Sequence, residues 1–487
     1  MTIDLTENIK IMKSNANYLK GKGIIFPTFK QMKLSEDSYL QSKHDSTKSN
    51  VSEIHPKNLF KINWYNTLSE TSQYFHSTPI FIELPRQFTG VDAKIIALVG
   101  KFFPTGSHKV GSSYACLIPK IVTGQFNIES NYAVWPSTGN YCRGGAFNSA
   151  IIGCKSIAIL PENMSLERFD WLRNINGEII TTFGAESNVK EIFDKVKELK
   201  ASRNDIHVFN QFSDFFNYLW HYEVTGSAMC DIIEKVTFDR KRVVGVCLAS
   251  GSAGVLGSAD YLKKIHPFMK LAVAEAIQCP TLQNNGFGEH RIEGIGDKHV
   301  PWIHNVKNTD MVIGIDDADV MSIFNLLNEK NGQDYLQRNL GLDENLIAQL
   351  EWAGLSGIAN ILSCIKYSKY FELSANDIVL TVLTDSSDMY KSKLTSSCQP
   401  DSNYTVINAA IDYNKSVLGI KTDYVEELTY TKKKSIHNLK YFTWVEQQGY
   451  DVEELDAQWY NDYYWEDIQK TVDDIDKLII DFNSMIK

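Results

Sequence analysis

One lysine with unusual neighbours is the first candidate for chemistry in this sequence. Lys109 lies in the segment PTGSHKVGSSYA (residues 104–115), among glycine, serine and alanine. A lysine on an ordinary surface helix instead has charged neighbours and an apolar stripe at helical spacing. Small residues let the backbone approach a bulky group, and desolvation lowers the pKa of a lysine. Since a neutral amine forms Schiff bases with aldehydes, Lys109 is a candidate nucleophile, and a solvated lysine in a glycine-containing loop is the alternative.

A polar loop, PSTGNY (136–141), is the second candidate. It places hydroxyl groups, an amide and exposed backbone N–H groups between a predicted strand and the start of a predicted helix. Such a loop favours an anion such as a carboxylate. Capping of the helix is the other use of these residue types, and one loop can do both. The candidate carboxylate contacts are Ser137, Thr138, Gly139 and Asn140.

A third loop, ASGSAG (249–254), has the composition of a phosphate cradle. It follows a predicted buried strand that ends at Leu248 and precedes a helix that starts near Val255. Backbone N–H groups of small residues at the start of a helix bind phosphate well. The spacing is not GxGxxG and the loop lacks the lysine of a P-loop, which argues against a nucleotide. The candidate phosphate contacts are Ser250, Gly251, Ser252, Ala253 and Gly254.

A polar turn, TDSSDMY (384–390), follows the last predicted buried strand. Ser386 in this turn either hydrogen-bonds a ring nitrogen of a ligand or caps the next helix. A Schiff-base lysine, a carboxylate loop, a phosphate cradle and a hydroxyl for a ring nitrogen are the groups that pyridoxal phosphate and an amino acid require. Ligands of open parallel sheets bind at the carboxyl ends of the strands, which is where these loops are expected.

From about Thr78 to Tyr390 the sequence resembles the fold type II pyridoxal-phosphate enzymes, and within them the cysteine synthase and cystathionine β-synthase branch. Seven matched segments in the right order are more specific than any one of them. The matches are STPI (77–80) to N-T-P-L, PTGSHK (104–109) to the segment that ends in the cofactor lysine, STGN (137–140) to T-S-G-N, NQF with HYEVTG (210–212 and 221–226) to N-Q-F and H-Y-E-T-T-G, SGSAG (250–254) to G-T-G-G-T, EGIG (293–296) to Q-G-I-G, and TDSSDMY to P-D-S-G-E-R-Y.

The resemblance implies roles for the matched residues. Lys109 would form the aldimine with pyridoxal phosphate, and the preceding His108, a further candidate cofactor contact, is more similar to the tryptophan synthase β-subunit. Asn140 would contact the 3′ oxygen of the cofactor, and Gln211 would help to bind the substrate carboxylate. Ser386 would be the partner of the pyridine nitrogen. The resemblance implies no metal.

The sequence departs from the family pattern at both anion loops. Tyr141 replaces a small residue and would narrow the substrate pocket, so it joins the candidate substrate contacts. Arg143 replaces an apolar residue, and it would either bind a second acidic group or point to solvent from the helix surface. Ala253 and Gly254 stand where glycine and threonine are usual, so one hydroxyl contact to the phosphate is expected to be missing.

The implied reaction follows from a serine at the pyridine nitrogen, which leaves that nitrogen largely unprotonated and suits loss of a β-substituent. The resemblance implies β-elimination or β-replacement on serine, O-activated serine or cysteine, as in a cysteine synthase or a cysteine desulfhydrase, with sulfide or a thiol as partner. Lys109 would remove the α-proton. Serine or threonine ammonia-lyase and tryptophan synthase β-like activities are alternatives. A retired binding subunit is a hypothesis of another class, against which Lys109, Asn140 and Ser386 argue.

The elements that would position these loops are strands alternating with helices from residue 78 onward. That order predicts an α/β fold, and the resemblance implies two open, mostly parallel sheets of the tryptophan synthase β-like kind. We expect one domain with the cofactor lysine at 61–235 and one with the phosphate loop at 236–390. Residues 1 to about 60 are predicted to be a polar, irregular extension, and residues 391–487 an acidic, aromatic-rich helical extension.

Composition limits the partners and the compartment. The chain has 487 residues, 43% of them hydrophobic and 22% charged, with a formal net charge of −10. These values are typical of a soluble globular protein and argue against nucleic acid or a membrane as a partner. The N-terminus lacks the apolar core of a secretory signal, and eight singly scattered cysteines favour reduced thiols in a cytoplasm. The resemblance also implies that the protein is a homodimer.

Overall fold

The computed structural model describes residues 3–33, 50–67, 75–175, 177–237, 241–395 and 404–486. The described residues contain eleven strands in two sheets. The strands are β1 (Phe81–Leu84), β2 (Lys94–Val99), β3 (Tyr132–Pro136), β4 (Lys155–Pro161), β5 (Glu178–Thr182), β6 (Ile206–Val208), β7 (Arg242–Ala249), β8 (Lys270–Ala276), β9 (Met311–Ile315), β10 (Asp377–Leu383) and β11 (Val425–Glu427).

The larger sheet has seven strands in the order β1-β2-β10-β7-β8-β9-β11. The five central strands of this sheet, β2, β10, β7, β8 and β9, run parallel. The two edge strands, β1 and β11, pair antiparallel with their neighbours. The smaller sheet has four parallel strands in the order β5-β4-β3-β6. The prediction of two open, mostly parallel sheets is therefore confirmed.

Helices connect the parallel strands, as parallel pairing requires. In the described ranges no helix is long and apolar enough to cross a membrane. The α-helices are Ile9–Lys20, Phe29–Lys33, Arg86–Thr89, Lys109–Val122, Asn140–Ile152, Leu166–Asn174, Val189–Ser202, Phe215–Trp220, Gly226–Val236, Gly257–Ile265, Thr281–Asn284, Asp317–Asn328, Lys330–Leu340, Glu344–Leu350, Leu355–Tyr370, Val406–Tyr413, Tyr430–Asn438, Val452–Tyr460 and Tyr464–Ile486.

The centre of the larger sheet brings three of the sequence-predicted loops to one edge. Every residue of β10, DIVLTVL, is buried, as expected for a parallel strand that is covered on both faces. β10 pairs with β2 on one side and with β7 on the other. Because all three strands are parallel, their carboxyl ends lie together, and the loops with Lys109, Ser252 and Ser386 start there.

The fourth loop follows β3 of the smaller sheet, so the two sheets together supply the site. The chain passes between the sheets more than once, since β1 and β2 belong to the larger sheet and β3 to β6 form the smaller one. The domain boundaries that the sequence suggests, at 61–235 and 236–390, stay predictions.

The N-terminal extension is helical over much of its described length. The prediction of an irregular segment is wrong for helix Ile9–Lys20, which buries Met12, Ala16 and Leu19. These apolar residues have helical spacing, but the lysines and asparagines between them make the stretch read as polar. The segment SEDSYLQSKHDSTKSN, predicted as mobile or surface-draped, lies outside the described residues except at its last position.

The last helix, Tyr464–Ile486, packs against the N-terminal segment. Its sequence carries an apolar stripe that predicts such packing, and of that stripe Val472, Ile475, Ile479 and Phe482 are buried. The rings of Phe26 and Phe482 stack with their centroids 5.9 Å apart. The last helix of the C-terminal extension therefore packs against the beginning of the described chain. The extension has a cluster of aromatic residues at 459–465 that is only partly covered, since Trp459 and Trp465 are buried while Tyr460 and Tyr463 are exposed.

Candidate active site

Lys109 lies where the loop after β2 becomes a helix, as the first residue of helix Lys109–Val122. Its Nζ donates a hydrogen bond to Oγ of Ser252, 2.9 Å away, in the loop after β7. Burial lowers the pKa of Lys109 to about 8, although the carboxylates of Asp297 and Glu186 act in the opposite direction. A substantial fraction of this amine is therefore neutral near pH 8, as a nucleophile requires.

The small residues around Lys109 serve helix packing. A Cβ added to Gly111 would lie 2.1 Å from the ring of Trp220. One added to Gly144, in the neighbouring helix, would lie 2.7 Å from Cα of Val110. The sequence suggests that these small residues let a bulky ligand approach, whereas at Gly111 the bulky group is the protein's own tryptophan. The remaining support for a reactive lysine is its burial and its lowered pKa.

The loop after β3 presents its polar groups to the cleft that contains the Lys109 amine. Nε2 of Gln211 donates to Oγ of Ser137 over 3.1 Å, so the two predicted carboxylate contacts are already joined. Residue 139 has to be a glycine, because a Cβ there would lie 2.2 Å from a guanidinium nitrogen of Arg168. The sequence-predicted substrate contacts that line the cleft with Lys109 are Ser137, Thr138, Asn140, Tyr141 and Gln211.

The loop after β7 has the donor groups of an anion cradle. Ala253 adopts φ 64°, a left-handed conformation that residues other than glycine rarely take. Among the described residues, no acceptor receives the backbone N–H groups of residues 251–254. Gly254 packs on the side chain of Asn217, whose Nδ2 donates to Oγ of Ser252 over 3.1 Å. Because unpaired N–H groups in such a loop favour an anion, this donor set fits the phosphate of the predicted cofactor.

A network of buried charged residues lies beneath the loop at 137–141, which we call the substrate loop. Arg168 is 1% exposed and donates to the carbonyl oxygen of Thr138 (2.8 Å) and to the hydroxyl of Tyr390 (2.9 Å). One guanidinium nitrogen lies 3.3 Å from a carboxylate oxygen of Glu293 and 3.7 Å from one of Glu186. Arg168 therefore compensates two buried carboxylates and fixes the backbone of the loop.

Two carboxyl groups of the cleft have raised pKa values. Burial raises the pKa of Glu186 to about 8, although Arg168 acts in the opposite direction, and Thr138 donates a hydrogen bond to this carboxyl. Burial also raises the pKa of Asp297 to about 7, against the effect of Lys109. Near neutral pH these groups exchange protons readily beside an amine of similar pKa, which is typical of acid–base sites.

Ser386 and His108 lie outside the wall of this cleft. Oγ of Ser386 donates to a carboxylate oxygen of Asp388, 3.1 Å away, and faces a neighbouring cavity. In the same turn, Thr384 lines the cleft. Its Oγ1 lies 3.3 Å from Nε2 of His108. Burial lowers the pKa of His108 well below its usual value. The assignment of Ser386 to the pyridine nitrogen stays a prediction.

Two other candidate cofactor contacts already have protein partners. Nδ2 of Asn140 donates to a carboxylate oxygen of Asp385 over 2.6 Å. The backbone N–H of Ser250 donates to the carbonyl oxygen of Ala274 over 3.2 Å, which continues the ladder between β7 and β8. Of the loop 250–254, it is therefore residues 251–254 that keep backbone donors for an anion.

Sequence reasoning did not identify Arg168, Glu186, Asp297 or Asp385. Arg168 lies in a predicted helix, and nothing in the residue pattern there separates a buried arginine from a surface one. Asp297 could have been chosen as a site candidate from the sequence, because it directly follows the matched EGIG segment. Glu186 could also have been chosen, since it lies in the loop after β5, at the carboxyl end of a parallel strand, where ligands of such sheets bind.

The comparison with protein families decides the class. The profile of the family described as "Pyridoxal-phosphate dependent enzyme" matches residues 71–334, which is more than half of the chain. The chain belongs to this family. Its cofactor is therefore pyridoxal phosphate, and the lysine, the polar loops and the donor set of residues 251–254 fit that cofactor.

Individual relatives agree with the family. The probable cysteine synthase of Bacillus subtilis is 25% identical over 327 residues, which cover 67% of this chain and 96% of the relative. The cysteine synthase of Staphylococcus aureus is 29% identical over 260 residues, which cover 53% of this chain and 75% of the relative. The crystal structure of a hydrogen sulfide-producing enzyme from Fusobacterium nucleatum superposes with a TM-score of 0.54 at 22% identity, covering 64% of this chain and 96% of that one. The last likeness shows the fold.

Proposed function

We propose that this enzyme catalyses β-elimination or β-replacement on serine, O-activated serine or cysteine, with sulfide or a thiol as product or nucleophile. The family and the names of the relatives support the proposal. The structural observation that carries it is the buried amine of Lys109, which faces both the loop at 137–141 and the loop at 250–254. Pyridoxal phosphate, when bound, withdraws electrons from Cα of the amino acid.

Lys109 would hold the cofactor covalently, and its amine, when free, would serve as the base that removes the α-proton of the amino acid. A pKa of about 8 keeps part of the amine neutral for this task at physiological pH. Ser252, which accepts a hydrogen bond from Nζ, holds the amine toward the loop at 250–254 before the cofactor is attached.

The polar groups of the substrate loop bind the carboxylate of the amino acid. Ser137 and Gln211 supply a hydroxyl and an amide donor. Thr138, whose hydroxyl donates to Glu186, and Asn140 lie beside them in the cleft wall. Tyr141 is 1% exposed and takes up space in this wall, so it restricts the cleft to small side chains. The backbone N–H groups of residues 251–254, which have no acceptor among the described residues, would hold the phosphate.

The β-substituent leaves with a proton, and an incoming thiol gives one up. Asp297 and Glu186 line the cleft and have pKa values of about 7 and 8, so each can donate or accept that proton near neutral pH. A carboxyl group with an ordinary pKa would be ionised and could only accept. We assign the proton transfers at the β-position to these two side chains.

The experiment is a substrate panel on the purified, cofactor-loaded protein. Serine, O-acetylserine, cysteine and threonine are supplied alone, with sulfide or with indole, while sulfide, 2-oxo acids, cysteine and tryptophan are measured. We expect sulfide release from cysteine or cysteine formation from O-acetylserine, and neither with Lys109→Ala. Turnover of threonine or indole alone would favour an ammonia-lyase or a tryptophan synthase β-like enzyme. A folded, cofactor-loaded protein without any turnover would favour the retired subunit.

We also propose that the enzyme works as a cytoplasmic homodimer. Net charge, cysteine usage and the family resemblance support this assignment. Sedimentation of the purified protein tests the dimer, and fractionation of the source cells tests the compartment.

A further inference from the structure

A second cavity lies next to the candidate active site, and Ser386 and Arg143 form part of its wall. Its volume is about 170 Å³. At roughly 10–15 Å³ for a water molecule, this space is ample for an ion of the size of phosphate. The described residues that give it its charge are Lys61, Lys101, Arg143 and Asp388.

The charge of this cavity is positive. Three cationic side chains and one carboxylate are among its described lining residues. Lys61 and Arg143 are both more than nine-tenths buried, and burial lowers the pKa of each, that of Arg143 to about 10. The lining therefore attracts anions and repels a second cation.

Arg143 is the least compensated of these cations. It is 1% exposed, its Nη2 donates to the carbonyl oxygen of Thr105 over 2.7 Å, and its Nη1 donates to the thioether sulfur of Met389 over 2.6 Å. The guanidinium stacks over the ring of Trp171, 4.8 Å from its centroid. In the described part of the chain, Nε has no hydrogen-bond partner and no carboxylate forms an ion pair with the side chain. A buried guanidinium with such weak acceptors is costly unless an anion joins it.

We propose that this cavity binds a small oxyanion, with Arg143 as the principal ligand and Lys101 and Lys61 as supporting charges. A guanidinium offers a planar set of donors that matches a phosphate, sulfate or carboxylate group. That chemistry has two sources, a free inorganic ion or a distal acidic group of the substrate. An oxyanion site goes beyond the proposed reaction. Only the second source, an acidic group of the substrate, rests on the proposed function.

The same residues connect the cavity to the candidate active site. Nη1 of Arg143 also lies 3.3 Å from Oδ1 of Asn140, to which it donates. Lys101 pairs with Asp388 at 2.8 Å, and Asp388 accepts the hydrogen bond of Ser386. An oxyanion that engages Arg143 and Lys101 therefore competes with contacts that hold two candidate cofactor residues.

Phosphate binding to the cofactor-loaded enzyme is the test, because the cofactor then already occupies the loop at 251–254. Calorimetric titration with sodium phosphate is run at constant ionic strength, with sodium chloride as the reference salt, while cofactor fluorescence is recorded. We expect saturable binding and a fluorescence change. Arg143→Met should weaken binding about tenfold or more, since it removes a charge-assisted contact. Arg173→Met should leave it unchanged, because Arg173 is an exposed arginine on a neighbouring helix.

Lys101→Met is the second variant, in case Arg143→Met does not fold or does not retain the cofactor. It should also weaken phosphate binding. Absence of saturable phosphate binding, or binding that neither cavity variant weakens, overturns the proposal. Both results are independent of sulfide production and so do not depend on the proposed reaction.

The source of the oxyanion is decided by comparing serine with O-phosphoserine. If the ion is free, phosphate and serine bind together without competition. If the group belongs to the substrate, O-phosphoserine binds more tightly than serine, phosphate competes with it, and Arg143→Met removes this preference. Either pattern supports an oxyanion site at Arg143.

Discussion

The amine of Lys109 and the hydroxyl of Ser252, 2.9 Å apart, join the start of a helix to the loop after a central strand. Their hydrogen bond lies in a cleft of only about 20 Å³. A pyridoxal ring attached to Lys109 therefore requires the two groups to separate. Ser252 keeps a second partner in Asn217, at 3.1 Å, so its position does not depend on the lysine.

Replacement of the lysine tests its assignment directly. Lys109→Ala should abolish covalent cofactor attachment and turnover, because no other amine lines the cleft in the described part of the chain. Borohydride reduction followed by peptide mapping measures the attachment. Lys190→Ala, at an exposed lysine, is the control and should retain both properties. A labelled peptide from elsewhere in the chain would refute the assignment.

Capture of the cofactor by the apoprotein should depend on pH. Because the pKa of Lys109 is lowered to about 8, its amine is protonated and unreactive below that pH and becomes neutral above it. The rate of capture should therefore rise with pH and level off above about 8. Glu186→Gln should move the midpoint to lower pH, since it removes a carboxylate that raises the lysine pKa. A wild-type midpoint near 10 would contradict the burial argument.

Asp297 should destabilise the apoprotein as the pH rises. Its pKa is about 7 in the folded chain against 3.8 for a solvent-exposed aspartate, so the folded state holds the proton more tightly. Stability is then greatest below about pH 4 and is lost progressively up to about pH 7. Asp297→Asn should be more stable than wild type at pH 8, by a few kcal/mol, and equal to it near pH 4. Urea unfolding at the two pH values measures this difference.

Two hydroxyl variants decide which residue faces the pyridine nitrogen. Ser386→Asp should impair β-elimination severely while the cofactor stays bound, since a carboxylate there favours a protonated ring nitrogen and an over-stabilised carbanion. Thr384→Val is the comparison, because Thr384 lines the cleft in the structure. Normal turnover of Ser386→Asp, together with a defect of Thr384→Val, would assign the nitrogen to Thr384.

The terminal helix should contribute to global stability. Phe482 is 1% exposed and stacks on Phe26, so Phe482→Ala should lower the free energy of unfolding by about 3–5 kcal/mol. Ile480→Ala, on the exposed face of the same helix, should have little effect. Denaturant unfolding compares them. Equal stability of both variants would make the extension a separate module.

Most strands were predictable as runs of apolar residues. The runs at 178–182 and 270–276 predict β5 and β8 at both ends, and the runs at 93–100, 132–137, 156–161 and 243–250 predict β2, β3, β4 and β7 within one residue at each end. β1, β6, β9 and β11 were not predicted. β6 and β11 have three residues each, and their pairing depends on a neighbour that is distant in sequence. Burial of helix Ile9–Lys20 likewise depends on a helix at the other end of the chain.

The two polar loops were predictable as turns between a strand and a helix, because glycine, serine and asparagine are common there, and their binding of anions stays a prediction. Arg143 and Arg168 show the limit of that reasoning. A charged residue is exposed by default, and only the folded chain reveals that both guanidinium groups are buried. The electrostatics of the site come from such residues, and the sequence pattern does not separate them from surface charges.

The pairing of Phe26 with the last helix has a consequence for synthesis on the ribosome. The amide of Asn483 donates to the carbonyl oxygen of Phe26 across 457 positions of the chain. The contact between the N-terminal segment and the last helix therefore cannot form until residue 483 has been translated, which takes on the order of a minute at about 5–20 residues per second. Until then Phe26 lacks the stacking and hydrogen-bond partners that it has in the folded chain, so this part of the fold forms late in synthesis.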